Sequence, residues 1–166
     1  MPQPTIECDF LIAGSGAAGL AAATVAAHRG LRVVLAEKAQ VLGGTTAWSG
    51  GWIWAPGNPV CARNGIHEAS DAPKRYLQAV LGNAFNEDLA SAFLSAAPEM
   101  VDFFERETAL CFEPGLKIPD TYSDLPGAGQ GGRSVIAQPY DGRALGKAID
   151  LLRPPLRETS FMGLPI

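Results

Sequence analysis

The stretch from Cys8 to Glu37 constrains the fold of this chain most strongly, and it reads CDFLIAGSGAAGLAAATVAAHRGLRVVLAE. A short apolar run leads into Gly14-Ser15-Gly16-Ala17-Ala18-Gly19, an alanine-rich segment follows, and a second apolar run ends at Glu37. This order predicts a strand, a glycine turn, a helix, a second strand and a terminal acid. Such a βαβ arrangement is typical of a dinucleotide-binding site.

The three glycines of this turn (residues 14–19, called the glycine turn below) have separate roles in a dinucleotide site. Gly14 permits the tight turn, Gly16 leaves room for a pyrophosphate, and Gly19 allows the helix to pack closely on the strands. The first N–H groups of the helix then face the phosphates. Glu37, 18 residues past Gly19, is placed to bind a ribose hydroxyl, and its charge disfavours NADP. A purely structural βαβ unit is the alternative.

Composition and charge exclude other classes of protein. The net charge is −4, from 13 basic and 17 acidic residues without a basic cluster, so nucleic acid is not an expected partner. The uncharged run over residues 10–27 contains three glycines and follows acids rather than bases, which argues against a membrane span and a signal peptide. Three cysteines without a CxxC pair predict reduced thiols in a cytoplasmic protein, with no metal site.

A second glycine-rich stretch, KAQVLGGTTAWSGGWIWAPGNP, begins directly after the terminal acid. Two glycine pairs, Gly43-Gly44 and Gly50-Gly51, enclose three hydroxyl residues, and three tryptophans lie in or just after them. An NAD site has no evident need for this second loop (residues 43–51), whereas the longer FAD molecule has. The alternative is a glycine-rich loop whose tryptophans are buried in the core.

The segments GSGAAGL, EK and GGTTAWSGGWIWAPGN together resemble the N-terminal part of the fumarate reductase and 3-ketosteroid Δ1-dehydrogenase group of FAD-dependent flavoproteins. The closer likeness is to the ketosteroid side. In that family the glycine turn holds the FAD pyrophosphate, the acid holds the adenosine ribose, and the second loop continues towards the flavin. The resemblance implies FAD as cofactor, and the candidate cofactor-binding residues are Gly14, Ser15, Gly16, Ala17, Ala18, Gly19, Glu37, Lys38, Gly43, Gly44, Thr45, Thr46, Ser49, Gly50 and Gly51.

The fold class expected is α/β: a Rossmann-like FAD/NAD(P)-binding parallel sheet, incomplete, with a helical insertion. Helical patterns run from Ser70 or Asp71 to Leu81 and over residues 86–108, where Pro98 is expected to divide the segment into two helices. Residues 134–138 predict a strand, 110–113 a doubtful one, and 143–152 a helix. We divide the chain into 1–59, βαβ core and flavin loop; 60–109, helical insertion; and 110–166, irregular segment, strand and helix.

The segments PDTYSDLPG and GRSVIAQPYDGRALG also resemble ketosteroid dehydrogenases, in which a tyrosine near the first segment lines the steroid pocket. The resemblance makes Tyr122 the candidate catalytic residue, although the family often has paired tyrosines where this chain has Thr121-Tyr122. An ordinary loop tyrosine is the alternative. The strands are too few for a complete doubly wound sheet and no substrate domain follows, so we expect the N-terminal part of a longer protein.

The resemblance implies an FAD-dependent enzyme that dehydrogenates a carbon–carbon bond next to the ketone of a small-molecule substrate, steroid-like or other. A fumarate-reductase-like enzyme acting on a small dicarboxylate is the first alternative, with Arg133 and Arg143 as the arginines available for its carboxylates. An inert nucleotide-binding remnant is the second. The sequence shows no strong general base, since His28 and His67 are most simply surface residues.

Overall fold

The computed structural model describes residues 5–161 and 164–165 of the chain. It consists of two compact units. Unit 1 comprises Met1–Gly51 and Asp141–Ile166, and unit 2 comprises Trp52–Tyr140.

Unit 1 is built on the βαβ arrangement that the glycine turn predicts. Strand β1 (Phe10–Ala13) and strand β2 (Val33–Ala36) pair in parallel, with Phe10 opposite Val33 and Ala13 opposite Ala36. Helix α1 (Ala17–His28) connects them. Over the described residues of unit 1 this sheet has two strands, and the side chain of Leu11 on β1 is 66% exposed. The expected parallel sheet is therefore present and incomplete.

The C-terminal segment of unit 1 differs from the expected helix over residues 143–152. Gly142–Leu151 forms 3-10 turns that are interrupted at Gly146, whose φ of 53° and ψ of −130° are not helical. Glycine adopts this conformation without steric cost and breaks the helix there. A short 3-10 turn, Arg157–Thr159, and a hairpin of Ser160–Phe161 with Leu164–Pro165 follow.

Unit 2 combines a three-stranded antiparallel sheet with helices. The expected strand near residue 134 and the doubtful one near residue 112 both form, and they belong to this antiparallel sheet and not to the parallel sheet of unit 1. The sheet order is β3-β5-β4. The elements of unit 2 are β3 (Trp52–Trp54), α2 (Pro59–Arg63), α3 (Ala72–Leu81), a 3-10 turn (Gly82–Ala84), α4 (Glu87–Glu107), β4 (Phe112–Pro114) and β5 (Ser134–Ala137).

Helix α4 is one continuous helix with Pro98 inside it, so the expected division into two helices is wrong. Asn86 caps its start by accepting a hydrogen bond from the Leu89 N–H at 3.0 Å. Ala97 and Val101 on either side of the proline are buried in the core of unit 2, and this packing compensates for the hydrogen bond that a proline removes. The other core residues are Ala55, Val60, Cys61, Phe112 and Val135.

Helix α3 confirms the expected boundaries. It follows Asp71, contains Pro73 in its first turn and ends at Leu81, directly before Gly82, whose φ is 52°. Within the part of the chain that the structure describes, no helix is long and apolar enough to span a bilayer.

Candidate functional site

The glycine turn between β1 and α1 is tightly closed at one end. Gly14 has a φ of 95°, in the left-handed region that glycine adopts most easily. A Cβ atom placed on Gly19 would lie 2.0 Å from the Gly14 carbonyl oxygen, so a side chain does not fit there. Helix α1 therefore packs directly against the end of β1, as the sequence predicts.

The first turn of α1 is open at Gly16. Within the described part of the chain, a Cβ atom on Gly16 would have only Thr46 Oγ1 within 4 Å, at 3.8 Å. No acidic residue lies in the first helical turn, and Gly16 as the N-cap offers no side chain to the helix N–H groups. The positive dipole end of a helix favours an anion at such a position. These residues fit the pyrophosphate of a dinucleotide.

Glu37 connects the glycine turn to the second loop. Its Oε2 accepts hydrogen bonds from Ser15 N at 2.9 Å and Ser15 Oγ at 2.7 Å, and its Oε1 accepts one from Ala39 N at 2.9 Å. These donors, the Ser15 hydroxyl first, lower the pKa of Glu37 to about 2. The carboxylate is thus charged and oriented. It keeps acceptor capacity for a ribose hydroxyl, and that role stays a prediction.

The second loop packs against the glycine turn through backbone and hydroxyl contacts. Gly43 N donates to Ser15 Oγ at 3.0 Å, and a Cβ atom on Gly44 would lie 3.3 Å from the Gly16 Cα. Thr46 Oγ1 accepts a hydrogen bond from Ala17 N at 3.0 Å. The structure therefore brings Gly43, Gly44 and Thr46 to the turn.

The remaining candidate residues of unit 1 make fewer contacts there. Lys38 and Thr45 are exposed. Ser49 Oγ donates to the Thr46 carbonyl at 2.8 Å and accepts from Gly51 N at 3.2 Å, which closes the end of the second loop around Gly50. These residues shape the loop, and their contact with a cofactor stays a prediction.

Unit 2 contains a groove with aromatic walls, of about 620 Å³. Tyr122 lies in this groove with 57% of its surface exposed, and its backbone N–H donates to Tyr76 Oη at 3.2 Å. Trp54 stacks on Phe93 with ring centroids 5.8 Å apart. We call this the aromatic groove; its walls include Trp52, Trp54, Tyr76, Leu77, Ile118 and Tyr122.

A buried ionic cluster holds the segment that carries Tyr122. Asp120 accepts hydrogen bonds from Trp54 Nε1 at 2.7 Å, Gly129 N at 2.8 Å and Arg133 Nη1 at 2.5 Å. Asp120 N also donates to the Gly129 carbonyl at 2.9 Å. The carboxylate therefore fixes both ends of the loop of residues 120–129, in which Tyr122 lies.

The two arginines proposed for a dicarboxylate are both engaged elsewhere. Arg133 is only 3% exposed and donates to Asp120, to Glu68 through Nη2 at 2.5 Å and Nε at 2.8 Å, and to the Gly127 carbonyl at 2.8 Å. Arg143 is 90% exposed and pairs with Asp141 beside it. Neither geometry presents a guanidinium to a bound dicarboxylate.

The three cysteines are unbridged. Burial raises the pKa of the Cys61 thiol above its usual value, which keeps it protonated. Among the residues described, no group of three or more His, Cys, Asp or Glu side chains is arranged to hold a metal ion.

Sequence reasoning missed two charged residues. Asp120 stands two positions before Tyr122 in PDTY, and only the fold shows that it is buried. Arg153 lies beside Gly43 and over the Trp48 ring, outside every segment that the sequence predicts for the cofactor. An arginine directly before Pro154-Pro155 is a weak signal, because charged residues before prolines are common in surface loops.

Known proteins are similar to this chain in sequence and in structure. The chain is 45% identical over 159 residues to the 4-oxocyclohex-2-ene-1-carboxylate 5-dehydrogenase of Sinomonas cyclohexanicum, covering 96% of this chain and 27% of that protein. It is 42% identical over 150 residues to a 3-oxosteroid 1-dehydrogenase of Mycobacterium tuberculosis, covering 89% of this chain and 26% of that protein. The chain thus spans about a quarter of the length of these relatives.

A solved structure and a family match agree with these relatives. The 3-ketosteroid Δ1-dehydrogenase of Sterolibacterium denitrificans, solved with 1,4-androstadiene-3,17-dione, superposes with a TM-score of 0.87 at 36% identity, covering 94% of this chain and 28% of that one. Residues 9–154 match the FAD binding domain family. This chain therefore belongs to the FAD binding domain family, and its cofactor is FAD.

Proposed function

We propose that this chain is the FAD-binding part of an enzyme that dehydrogenates a carbon–carbon bond next to a ring ketone. The observation that supports this most directly is the aromatic groove of unit 2. Its walls suit a flat apolar ring, and Arg133, whose guanidinium lies over the Trp54 and Tyr76 rings of the walls, is paired with Asp120 and Glu68. The names of the two relatives share a ring ketone, one in a cyclohexene carboxylate and the other in a 3-oxosteroid.

The residues of unit 1 would hold the cofactor. The open N-terminus of α1 at Gly16 would take the pyrophosphate, Glu37 the adenosine ribose, and the second loop the remainder of the molecule. When bound, FAD supplies the acceptor for a hydride from the substrate. The division of the chain into 1–59, 60–109 and 110–166, and a cytoplasmic location, remain part of this proposal.

Tyr122 is the residue of unit 2 that we assign to the substrate. Its exposed ring forms part of the groove wall, and a phenol hydroxyl donates a hydrogen bond to a ketone oxygen or exchanges a proton beside it. Polarising the ketone acidifies the neighbouring C–H bond. Asp120 supports this role because it fixes the loop on which Tyr122 is carried.

A first experiment addresses the cofactor. The purified chain is mixed with FAD, passed through a desalting column and examined for flavin absorbance. A yellow protein supports the proposal. A colourless protein that binds no FAD supports the inert-remnant alternative instead.

A second experiment addresses the substrate in the protein that contains this chain. Dye reduction is measured with a 3-ketosteroid and with a cyclohexanone carboxylate, and fumarate reduction is measured separately. Tyr122→Phe is expected to lower kcat/KM for the ketone by at least about tenfold, the scale of lost acid–base assistance. Tyr140→Phe is the matched control, because Tyr140 is equally exposed at 57%. Turnover of fumarate alone would contradict the ring-ketone assignment.

A further inference from the structure

Arg153 lies directly beside the second loop of unit 1. Its backbone N–H donates to the Leu42 carbonyl at 2.8 Å, and Leu42 N donates to the Leu151 carbonyl at 2.6 Å. These bonds form a parallel bridge between Leu42 and Leu152. A strand-like contact therefore fixes Arg153 next to Gly43.

The position of Arg153 is linked to the glycine turn by a short series of contacts. A Cβ atom on Gly43 would lie 3.7 Å from the Arg153 Cβ, an ordinary van der Waals distance, so the two residues are neighbours. Gly43 N in turn donates to Ser15 Oγ, within the glycine turn. Gly43 therefore lies between Arg153 and the glycine turn, to which the pyrophosphate is assigned.

The side chain of Arg153 packs on an aromatic ring, but one of its hydrogen-bond donors has no partner among the described residues. Its guanidinium carbon lies 4.9 Å from the centre of the Trp48 ring, a cation–π contact. Its Nε is buried and, among the described residues, has no hydrogen-bond partner. No carboxylate in the described part of the chain forms an ion pair with it. Buried donors are normally paired, and one that is left unpaired destabilises the protein.

We propose that Arg153 is a cofactor-binding residue whose guanidinium binds the pyrophosphate of FAD. The pyrophosphate is the anionic group of oxidised FAD, and a planar guanidinium matches phosphate oxygens with paired donors. Trp48 keeps the guanidinium oriented before the cofactor arrives, which reduces the ordering cost of binding. The proposal depends on FAD binding and is independent of the substrate assigned to unit 2.

The test compares the affinities of the chain for FAD and for ADP. Arg153→Gln is expected to weaken both by a similar factor of about ten to a hundred, because the two ligands share the pyrophosphate. It is also expected to reduce the salt dependence of FAD binding. Arg153→Lys keeps the positive charge but loses the paired donors of the guanidinium, so its affinities should lie between those of the wild type and of Arg153→Gln. Arg157→Gln, the same charge change on an exposed arginine of unit 1, should leave both affinities unchanged.

A readout without ligand separates this role from a structural one. Arg153→Gln removes both an unpaired buried donor, which destabilises the chain, and a cation–π contact with Trp48, which stabilises it, so the unfolding midpoint of the FAD-free chain is expected to stay nearly unchanged. A lower midpoint with unchanged affinities would mean that Arg153 only supports the loop, and would overturn the proposal. Loss of FAD affinity with ADP affinity intact would also overturn it, because the contact would then be with the flavin half. A wild-type chain that binds neither ligand would overturn it together with the cofactor assignment.

Discussion

Each unit of this chain contains an arginine packed on a tryptophan, and the two arginines differ in whether their hydrogen-bond donors are paired. In unit 2, Arg133 lies over Trp54 and is 3% exposed, with two carboxylates and a carbonyl around it. In unit 1, Arg153 lies over Trp48 with a buried Nε that no described residue satisfies. In unit 2 the donors of the buried arginine are paired with acceptors of the same unit. Among the residues that the structure describes, unit 1 leaves the buried Nε donor of Arg153 open, which is the pattern of a position whose partner is a ligand.

The comparison predicts its largest effect at Arg133. Arg133→Met leaves Asp120 and Glu68 without their cation, and Asp120 is almost fully buried. Removing one partner of a buried ion pair costs about 3–5 kcal/mol, because a charge remains in the interior without compensation. Urea denaturation of the purified chain measures the change in the free energy of unfolding. A loss below about 1 kcal/mol would mean that water replaces the arginine and that the cluster is not closed.

The next effect distinguishes closed from open positions within the glycine turn. Gly19→Ala places a methyl group against the Gly14 carbonyl and is expected to cost about 1–3 kcal/mol of stability through overpacking. Gly16→Ala has room for its methyl group in the free chain, so stability should hardly change. Its FAD affinity should fall, because the methyl group occupies the approach of the pyrophosphate.

Thermal unfolding with and without FAD measures both variants side by side. If Gly16→Ala binds FAD as tightly as the wild type, the pyrophosphate does not lie at Gly16. If Gly19→Ala is as stable as the wild type, the close approach of α1 to β1 relaxes at little cost.

The sequence predicted those parts of the molecule that depend on neighbouring residues. The glycine turn, α1 and the ends of α3 follow from local signals such as Gly14, Asp71 and Gly82. The second glycine-rich loop favoured FAD over NAD, and the resemblance implied the same cofactor; both rest on contiguous segments. The prediction that Pro98 divides the helix was wrong, because the burial of Ala97 and Val101 in the core outweighs the cost of a proline inside a helix.

The rest of the site depends on residues that are far apart in the chain. Trp54 and Asp120 are 66 positions apart, and Glu68 and Arg133 are 65 apart, so no local pattern links them. The same holds for Arg153 and Trp48. Their pairing requires the fold, and an arginine in the sequence looks the same whether it will be paired, exposed or left open for a ligand.

A smaller effect is expected from Glu37, and it depends on pH. The folded chain holds the pKa of Glu37 at about 2, below its ordinary 4.5, so the charged form stabilises the fold. That contribution is fully present above about pH 4.5 and is lost as the pH falls towards 2. Glu37→Gln removes the charge that Ser15 and Ala39 bind. The wild type should therefore be more stable than the variant at pH 7, with the difference vanishing near pH 2.

The matched titration of urea midpoints from pH 7 to pH 2 isolates Glu37 from the other acids. Asp9 and Asp141 also have lowered pKa values, through Arg32 and Arg143 respectively, but they titrate equally in both proteins and cancel in the difference. A difference that stays constant down to pH 2 would show that the Glu37→Gln variant loses only packing and not a charge-dependent interaction.

The smallest effect is expected at Arg143, the second arginine that could have served a dicarboxylate. It is 90% exposed, and its pair with Asp141 spans two positions in a loop, so water and salt screen the interaction. Arg143→Gln should leave the unfolding midpoint unchanged and raise the pKa of Asp141 back towards its ordinary value, because the guanidinium is what lowers it. Carboxyl NMR titration measures that shift. The same variant should leave FAD affinity unchanged, unlike Arg153→Gln. If Arg143→Gln weakened FAD binding as much as Arg153→Gln does, any positive charge in unit 1 would serve, and the orientation that Trp48 gives Arg153 would have no special role.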